Sequence, residues 1–333
     1  RKNIWRIYYM KKIKVALVGI GGMGNVHFNC YKKIKNAELV AVCDVRKDFA
    51  LERVGSACPV YTDMGEMLKN EEIDVVDICT PSYLHAEMAV ECLNKGLNVL
   101  CEKPMTLTCA DAEKVLAAAE NSGKKFMVAH VVRFMSQYAF LKKVIDEGSF
   151  GKLISLDMRR LSSVPRWSWE NWMQDEKKSG GVCLDLSVHD LDFVQSVLGM
   201  PERVSASYRP LKNDSSFIKS TLYYGETAVS VQAAWYNAEI PFTADFLAVF
   251  DNGFVEFKDG KLFMCDKEIP LDGDGSGDFD SGINVKGGDA YENEISYFID
   301  CVINDKKPLF VMPESSANSI TLASKIIAEA VKI

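Results

Sequence analysis

The sequence predicts an α/β chain in two parts: a parallel sheet covered by helices, then an α+β unit built on a largely antiparallel open sheet. Three observations carry this. At 333 residues the chain exceeds what one core usually organises. Over the first 130 residues, short and continuously apolar runs alternate with segments of helical spacing, the pattern of strands buried on both faces. After about residue 150, strand-like runs follow one another through short, turn-rich connections.

In order, "KIKVALVG" (12–19) is the first strand and 23–34 the first helix. "AELVAVCD" (37–44) and "RKDFALERVG" (46–55) repeat the pair. "IDVVDICT" (73–80) is a further buried strand, and "YLHAEMAVECLNKG" (83–96) has helical spacing closing on Gly96. "LNVLC" (97–101) is a strand, the next helix opens at Thr108 and closes at Gly123, and "KKFMVAH" (124–130) ends the series. Beyond it, "GKLISLDMRRLSS", "RVSASYRP", "SFIKSTLYYG", "ETAVSVQAAWYN", "TADFLAVF" and "GFVEFKDGKLFMC" are strands. One helix, about 183–198, interrupts them, and two, about 290–303 and 314–331, close the chain. The domains are accordingly placed at 10–130 and 131–333, with 1–9 an N-terminal extension ahead of Met10.

Composition narrows the function. At 48% hydrophobic and 26% charged residues, the chain is ordinarily globular. A net charge of −7 offers no basic footprint for nucleic acid or an anionic membrane. No apolar run approaches the ~18–20 residues of a membrane span. The basic start lacks the apolar core and cleavage site of a secretion signal, so a cytoplasmic protein is expected. The ten cysteines form no Cys-x-x-Cys pair, and reduced buried thiols are expected, without disulfides or a metal site. The Gly/Asp loop at 271–289 matches the first half of a calcium loop, but Ile283 stands where a bidentate glutamate is needed; a surface loop is expected.

Gly19-x-Gly21-x-x-Gly24 lies between the first strand and first helix, and Asp44 ends the second strand. Gly19 permits a tight turn, Gly21 lets backbone approach a pyrophosphate, and Gly24 packs helix on strand. Together with Gly22 and Met23, the helix start presents free N–H groups to phosphates. This is the pattern of a Rossmann dinucleotide-binding domain. Asp44 is placed to accept from a ribose hydroxyl pair and repels a 2′-phosphate, while Arg46 attracts one; NAD is expected ahead of NADP. Ligands in such sheets bind beyond the carboxyl ends of the strands. Thr80, Pro81 and His85 after one strand, and Glu102 and Lys103 after another, therefore join the cofactor-binding set, with a structural role in capping or packing its helix equally open for His85.

Lys103 follows a buried strand, where a desolvated ammonium is unfavourable unless something uses it. In "SGGVCLDLSVHDLDFVQSVLG" (179–199), helical spacing puts Leu184, Val188, Leu191, Val194 and Leu198 on an apolar stripe. Asp185, His189, Asp192 and Ser196 fall on a polar one, and Asp185 and His189, at i and i+4, are expected to pair so that the carboxylate orients the imidazole. "RWSWENW" sets Trp167, Trp169 and Trp172 in a loop before that helix, suited either to sugar faces or to packing against the sheet or another subunit. Arg160, Arg166 and Asn171 are candidates to bind hydroxyls, and Arg133 and Tyr291 are further pocket candidates. His27 and His130 are structural or line the cofactor.

Together "GIGGMGNVH", "CTPSYLH", "LCEKPMTL", "VVRFMSQYAFLKKVIDEGSFGKL", "SGGVCLDLSVHDLD" and "YENEISYFIDCV" span nearly the whole chain. In these segments it resembles the glucose–fructose oxidoreductase / inositol dehydrogenase / MocA family of NAD(P)-dependent oxidoreductases. The resemblance implies that Lys103, Asp185 and His189 are catalytic and that the Lys103–Pro104 bond is cis. It also implies a sugar, sugar acid or cyclic polyol as substrate, and a homodimer or homotetramer. Lys103, Arg133, Trp167, Trp172, Asp185, His189 and Tyr291 are then the expected substrate-binding residues. The implied reaction is hydride transfer between nicotinamide and a secondary alcohol or ketone. In it His189 takes the hydroxyl proton, Asp185 steadies the imidazole and Lys103 donates to the same oxygen. Two other readings stay open: a non-catalytic sugar or cofactor sensor, and a glycosidase using bound NAD for transient oxidation. Retention of Lys103, Asp185 and His189 weighs against a sensor.

Overall fold

The computed structural model describes residues 12–271 and 290–333. Its first part runs β1 (Ile13–Val18), α1 (Gly22–Tyr31), β2 (Ala37–Cys43), α2 (Lys47–Val54), β3 (Val60–Tyr61), α3 (Met64–Asn70), β4 (Val75–Ile78), α4 (His85–Asn94), β5 (Asn98–Glu102), α5 (Cys109–Ser122) and β6 (Phe126–Ala129). The strands pair in parallel in the order β3-β2-β1-β4-β5-β6. Val15, Leu17, Val76, Leu100 and Met127 are fully buried, which is why these strands read as apolar runs without alternation. Thr108 accepts from the Asp111 N–H at the start of α5 and Gly123 is left-handed at its end, as expected. The strand order reverses between β1 and β4, so a crevice opens at their carboxyl ends.

The chain continues through α6 (Ser136–Glu147), β7 (Leu153–Ser163), α7 (Glu176–Ser179), α8 (Val188–Leu198), β8 (Arg203–Pro210), β9 (Ser216–Tyr224), β10 (Thr227–Tyr236), β11 (Thr243–Phe250), β12 (Gly253–Lys258), β13 (Lys261–Met264), β14 (Lys267–Ile269), α9 (Ala290–Ile303), α10 (Pro313–Glu329) and β15 (Ala330–Lys332). The second sheet has the order β14-β13-β12-β11-β7-β10-β9-β8-β15. It is parallel only at β7–β10 and β8–β15, hence largely antiparallel. The expected single strand at 253–265 is a hairpin, because Asp259 (φ 52) and Gly260 (φ 77) turn it back on itself. α9 packs against α1, β5 and β6, and α10 against α5 and α8, so the end of the chain ties the two sheets together.

The ten cysteines are free thiols. Among the described residues no helix is long and apolar enough to cross a membrane. The 1–9 extension, and the Gly/Asp loop from 272 onward, lie outside the described residues.

Candidate active site

The crevice holds about 1180 Å³ and is lined by the carboxyl-end loops of the first sheet on one side and by the segment before α8 on the other. At Gly19 (φ +88) an added Cβ would stand 2.6 Å from the Cys79 carbonyl oxygen, and at Gly24 it would stand 1.9 Å from that of Gly19. Only glycine fits either place. Gly21 differs: a Cβ there would meet nothing nearer than Arg46 Nη2 at 3.9 Å, so the outer face of the loop is open. Gly21 is the N-cap of α1, with no side-chain capping bond and no acidic residue in the first turn. The first-turn N–H groups therefore remain for an anion, and the loop fits a dinucleotide pyrophosphate.

Asp44 is buried, and its Oδ2 accepts from the Ile20 N–H at 3.0 Å. Arg46 donates to it through its backbone N–H at 2.9 Å, Nε at 3.0 Å and Nη2 at 2.9 Å. Burial alone would raise this carboxyl, but the donors hold it below the usual carboxylate range. A fixed anionic acceptor here suits a ribose diol. Gly22, Met23, Thr80, Pro81, Glu102 and Lys103 also line the crevice, while Gly24 lies beneath the loop. His85 does not line it. Its Nδ1 is 2.8 Å from the Pro104 carbonyl oxygen and its Nε2 2.9 Å from that of Thr80, so it ties the loops after β4 and β5 together, which favours the structural one of its two expected roles over cofactor binding.

The Lys103–Pro104 bond is cis. Lys103 Nζ donates to the Asp185 carbonyl oxygen at 2.9 Å and to Asp185 Oδ1 at 3.1 Å. The expected Asp185–His189 pair is thereby corrected: the carboxylate serves the lysine. The cause is local. Cys183–Ser187 forms a π-helical turn leading into α8, and the wider turn departs from the i, i+4 ladder on which the expected pairing rested. Gly180 makes room for it, since a Cβ there would fall 2.5 Å from Leu184 Cβ. α8 is not amphipathic in use, because Asp190 and Asp192 are as buried as Leu191 and Val194. His189 lines the crevice with its Nδ1 buried and without a hydrogen-bond partner, which leaves Nε2 for a ligand. Burial, with Lys103 and Arg160 nearby, lowers its pKa well below the ordinary histidine value, so the ring is neutral. Glu102 sits behind Lys103: its Oε2 accepts from the Lys103 N–H at 3.1 Å and its Oε1 is 3.1 Å from His27 Nε2. His27 Nδ1 is in turn 2.8 Å from Asp77 Oδ2, a fully buried support.

Trp167, Trp172 and Tyr291 line the crevice. Arg133 does not. Its Nε and Nη2 each lie 2.7 Å from an oxygen of buried Asp192, and Nη1 donates to the Phe310 carbonyl, so the expected substrate contact is corrected to an internal ion pair. Arg160 borders the crevice but is committed to Asp190 and Tyr138. Arg166 turns away to Asn213 and Asn237. Phe49 was not singled out from sequence, and Trp169 was expected with the other tryptophans at a sugar face or in packing; both line the crevice and flank Arg46. The spacing Arg46-x-x-Phe49, one helical turn, was the signal for the first.

A doubly wound parallel sheet, a glycine loop at its switch point and an acidic residue ending the second strand define a dinucleotide-binding α/β protein. The model for the oxidoreductase family with an NAD-binding Rossmann fold, GFO/IDH/MocA, matches residues 13–130, and that for the GFO/IDH/MocA C-terminal domain matches 138–255. The chain belongs to the GFO/IDH/MocA family. It is 32% identical over 197 residues (59% of this chain, 52% of the relative) to 2,7-anhydro-N-acetylneuraminate hydratase of Mediterraneibacter gnavus. It is 28% identical over 205 residues (60% and 58%) to inositol 2-dehydrogenase of Salmonella typhimurium. It is 32% identical over 193 residues (57% and 55%) to D-glucoside 3-dehydrogenase of Escherichia coli. The chain thus spans little more than half the length of the curated relatives it matches. In fold it is similar to myo-inositol 2-dehydrogenase from Lactobacillus plantarum, with a TM-score of 0.80, 20% identity and 96% and 97% of the two chains covered.

Proposed function

We propose that the protein is an NAD-dependent dehydrogenase acting on a secondary alcohol of a sugar, sugar acid or cyclic polyol. The observation that carries this is the convergence of Lys103, Asp185 and His189 on the crevice that the glycine loop and Asp44 define. Gly21 and the start of α1 would hold the pyrophosphate and Asp44 the adenosine ribose. Bound NAD supplies the hydride acceptor. His189, neutral and with Nε2 open, takes the hydroxyl proton. Lys103 has three N–H donors, of which Asp185 holds two; the third is left for the substrate oxygen, where it stabilises developing negative charge. Trp167, Trp172 and Tyr291 offer aromatic surface beside that point.

The names of relatives support the substrate class: one acts on inositol and one on a glucoside. A second reading is favoured by the hydratase relative. In it the same residues serve a transient oxidation with no net change in nicotinamide. Absorbance at the reduced-nicotinamide band, with a panel of aldoses, sugar acids and inositols, separates the two. Accumulating NADH supports the first; product formation without it supports the second. We also propose a cytoplasmic homo-oligomer. Asp157, Arg159, Ser230, Gln232, Leu247 and Val249 share one face of β7, β10 and β11 and are left partly or wholly accessible, which suits self-association.

A further inference from the structure

The segment between β7 and α8 follows a strand of the second sheet, yet it reaches the adenosine end of the crevice. The Trp169 ring centre lies 5.5 Å from Arg46 Cζ, and the Phe49 ring centre lies 3.9 Å from the same carbon. Farther along, Lys178 Nζ is 5.7 Å from the centre of the Tyr83 ring, beyond β4. The segment therefore runs from the loop after β2 to the loop after β4, and in the sheet order it passes the end of β1 that carries the glycine loop. Bonds within its own domain hold its shape: Gln174 Nε2 donates to the Pro165 carbonyl at 2.6 Å and Tyr208 Oη to Glu176 Oε1 at 2.7 Å. Beside Trp169, Glu170 (φ 51) and Asn171 (φ 54) keep left-handed backbone without being glycine, a conformation that persists only where surroundings impose it.

Asp44 has little capacity to spare. Ile20 and the Arg46 backbone N–H each take one place, and the Arg46 guanidinium takes one on each oxygen. A ribose diol reaches this carboxylate by displacing the guanidinium, since a carboxylate offers about four acceptor sites. A cation moved from its anion is best received by aromatic faces, and Phe49 and Trp169 already flank it.

We propose that Trp169 is a cofactor-binding residue supplied by the second domain. With Phe49 it receives the Arg46 guanidinium that the adenosine ribose displaces from Asp44, and so closes the adenosine end of the crevice over bound NAD and slows its release. The proposal rests on the NAD-binding reading and is independent of substrate and of hydride transfer. The test is the NADH dissociation rate of the full chain, from stopped-flow displacement by excess NAD with no substrate present. Trp169→Ala is expected to raise that rate about tenfold with little change in association, and Trp169→Phe to keep it within about threefold of wild type. A Trp169→Ala rate within about twofold of wild type overturns the proposal, as does a raised rate that Trp169→Phe does not restore. Where dissociation is too fast to time, the equilibrium Kd of the three proteins is read in the same way. Wild-type protein that binds no NADH defeats the cofactor reading itself, a different result from an unchanged rate.

Discussion

Lys103 is an ammonium with two of its three N–H groups anchored on Asp185. Replacing it with methionine keeps the bulk of the chain and removes the donor, so Lys103→Met should lower turnover by roughly 10²–10⁴ while NADH still binds. His189 makes a different prediction, one of pH. Its pKa lies well below the usual value because the ring is buried and Lys103 and Arg160 are near, so it stays an unprotonated base as pH falls from 8 to 6.5. kcat/KM should show no loss from this group over that window, and a pH profile with an acid limb that His189→Gln leaves in place at higher pH would assign that limb elsewhere. His130 bears on stability. Burial, against the pull of Asp192, pushes its pKa down to about 4, because Arg133 already satisfies that carboxylate. The folded state keeps this ring neutral while the unfolded chain takes up a proton below about pH 6.5. The site therefore subtracts stability as pH falls from 6.5 towards 4, about 3 kcal/mol at the lower end. Urea unfolding of His130→Asn should show a correspondingly shallower loss than wild type across that window.

The elements explain which of these residues were legible from sequence. The strand–glycine–helix unit and the acidic end of β2 are local patterns, and their roles in the fold follow from backbone sterics. Gly24→Ala puts a Cβ against the Gly19 carbonyl oxygen, which belongs to backbone and cannot move aside; unfolding should be easier by about 1–3 kcal/mol. Gly21→Ala meets open space, so its stability should stay within about 0.5 kcal/mol of wild type while NADH binding weakens. Urea melts beside NADH titrations of the two variants check the contrast. Asp185 was found at the right place with the wrong partner. Periodicity assumes 3.6 residues per turn, and the π-helical turn at Cys183–Ser187 breaks that assumption where it matters. The Asp259-Gly260 turn, a hairpin signal in its own right, was read through as one strand, and β3, of two residues, is too short to show any period.

At the scale of the whole molecule, what sequence could not show is long-range pairing. Arg133 and Asp192 are 59 positions apart, and Lys103 and Asp185 are 82 apart. Nothing local marks Arg133 as a partner of a buried aspartate rather than of a substrate. The same holds for α9 and α10, which fold back onto the first sheet and make the two halves one body around the crevice. A ligand that bridges this crevice stabilises both halves together. NADH at 100 times its Kd should raise unfolding free energy by about 2.7 kcal/mol, seen as one cooperative transition moving upward in a thermal melt. Chemistry at Lys103 is tested by nicotinamide absorbance with NAD and a panel of sugars, sugar acids and inositols, run for wild type and Lys103→Met side by side. Wild type should form NADH in a substrate-dependent way, and the rate should fall at least about a hundredfold in the variant while it still binds NADH. Undiminished NADH formation by Lys103→Met would contradict that chemistry.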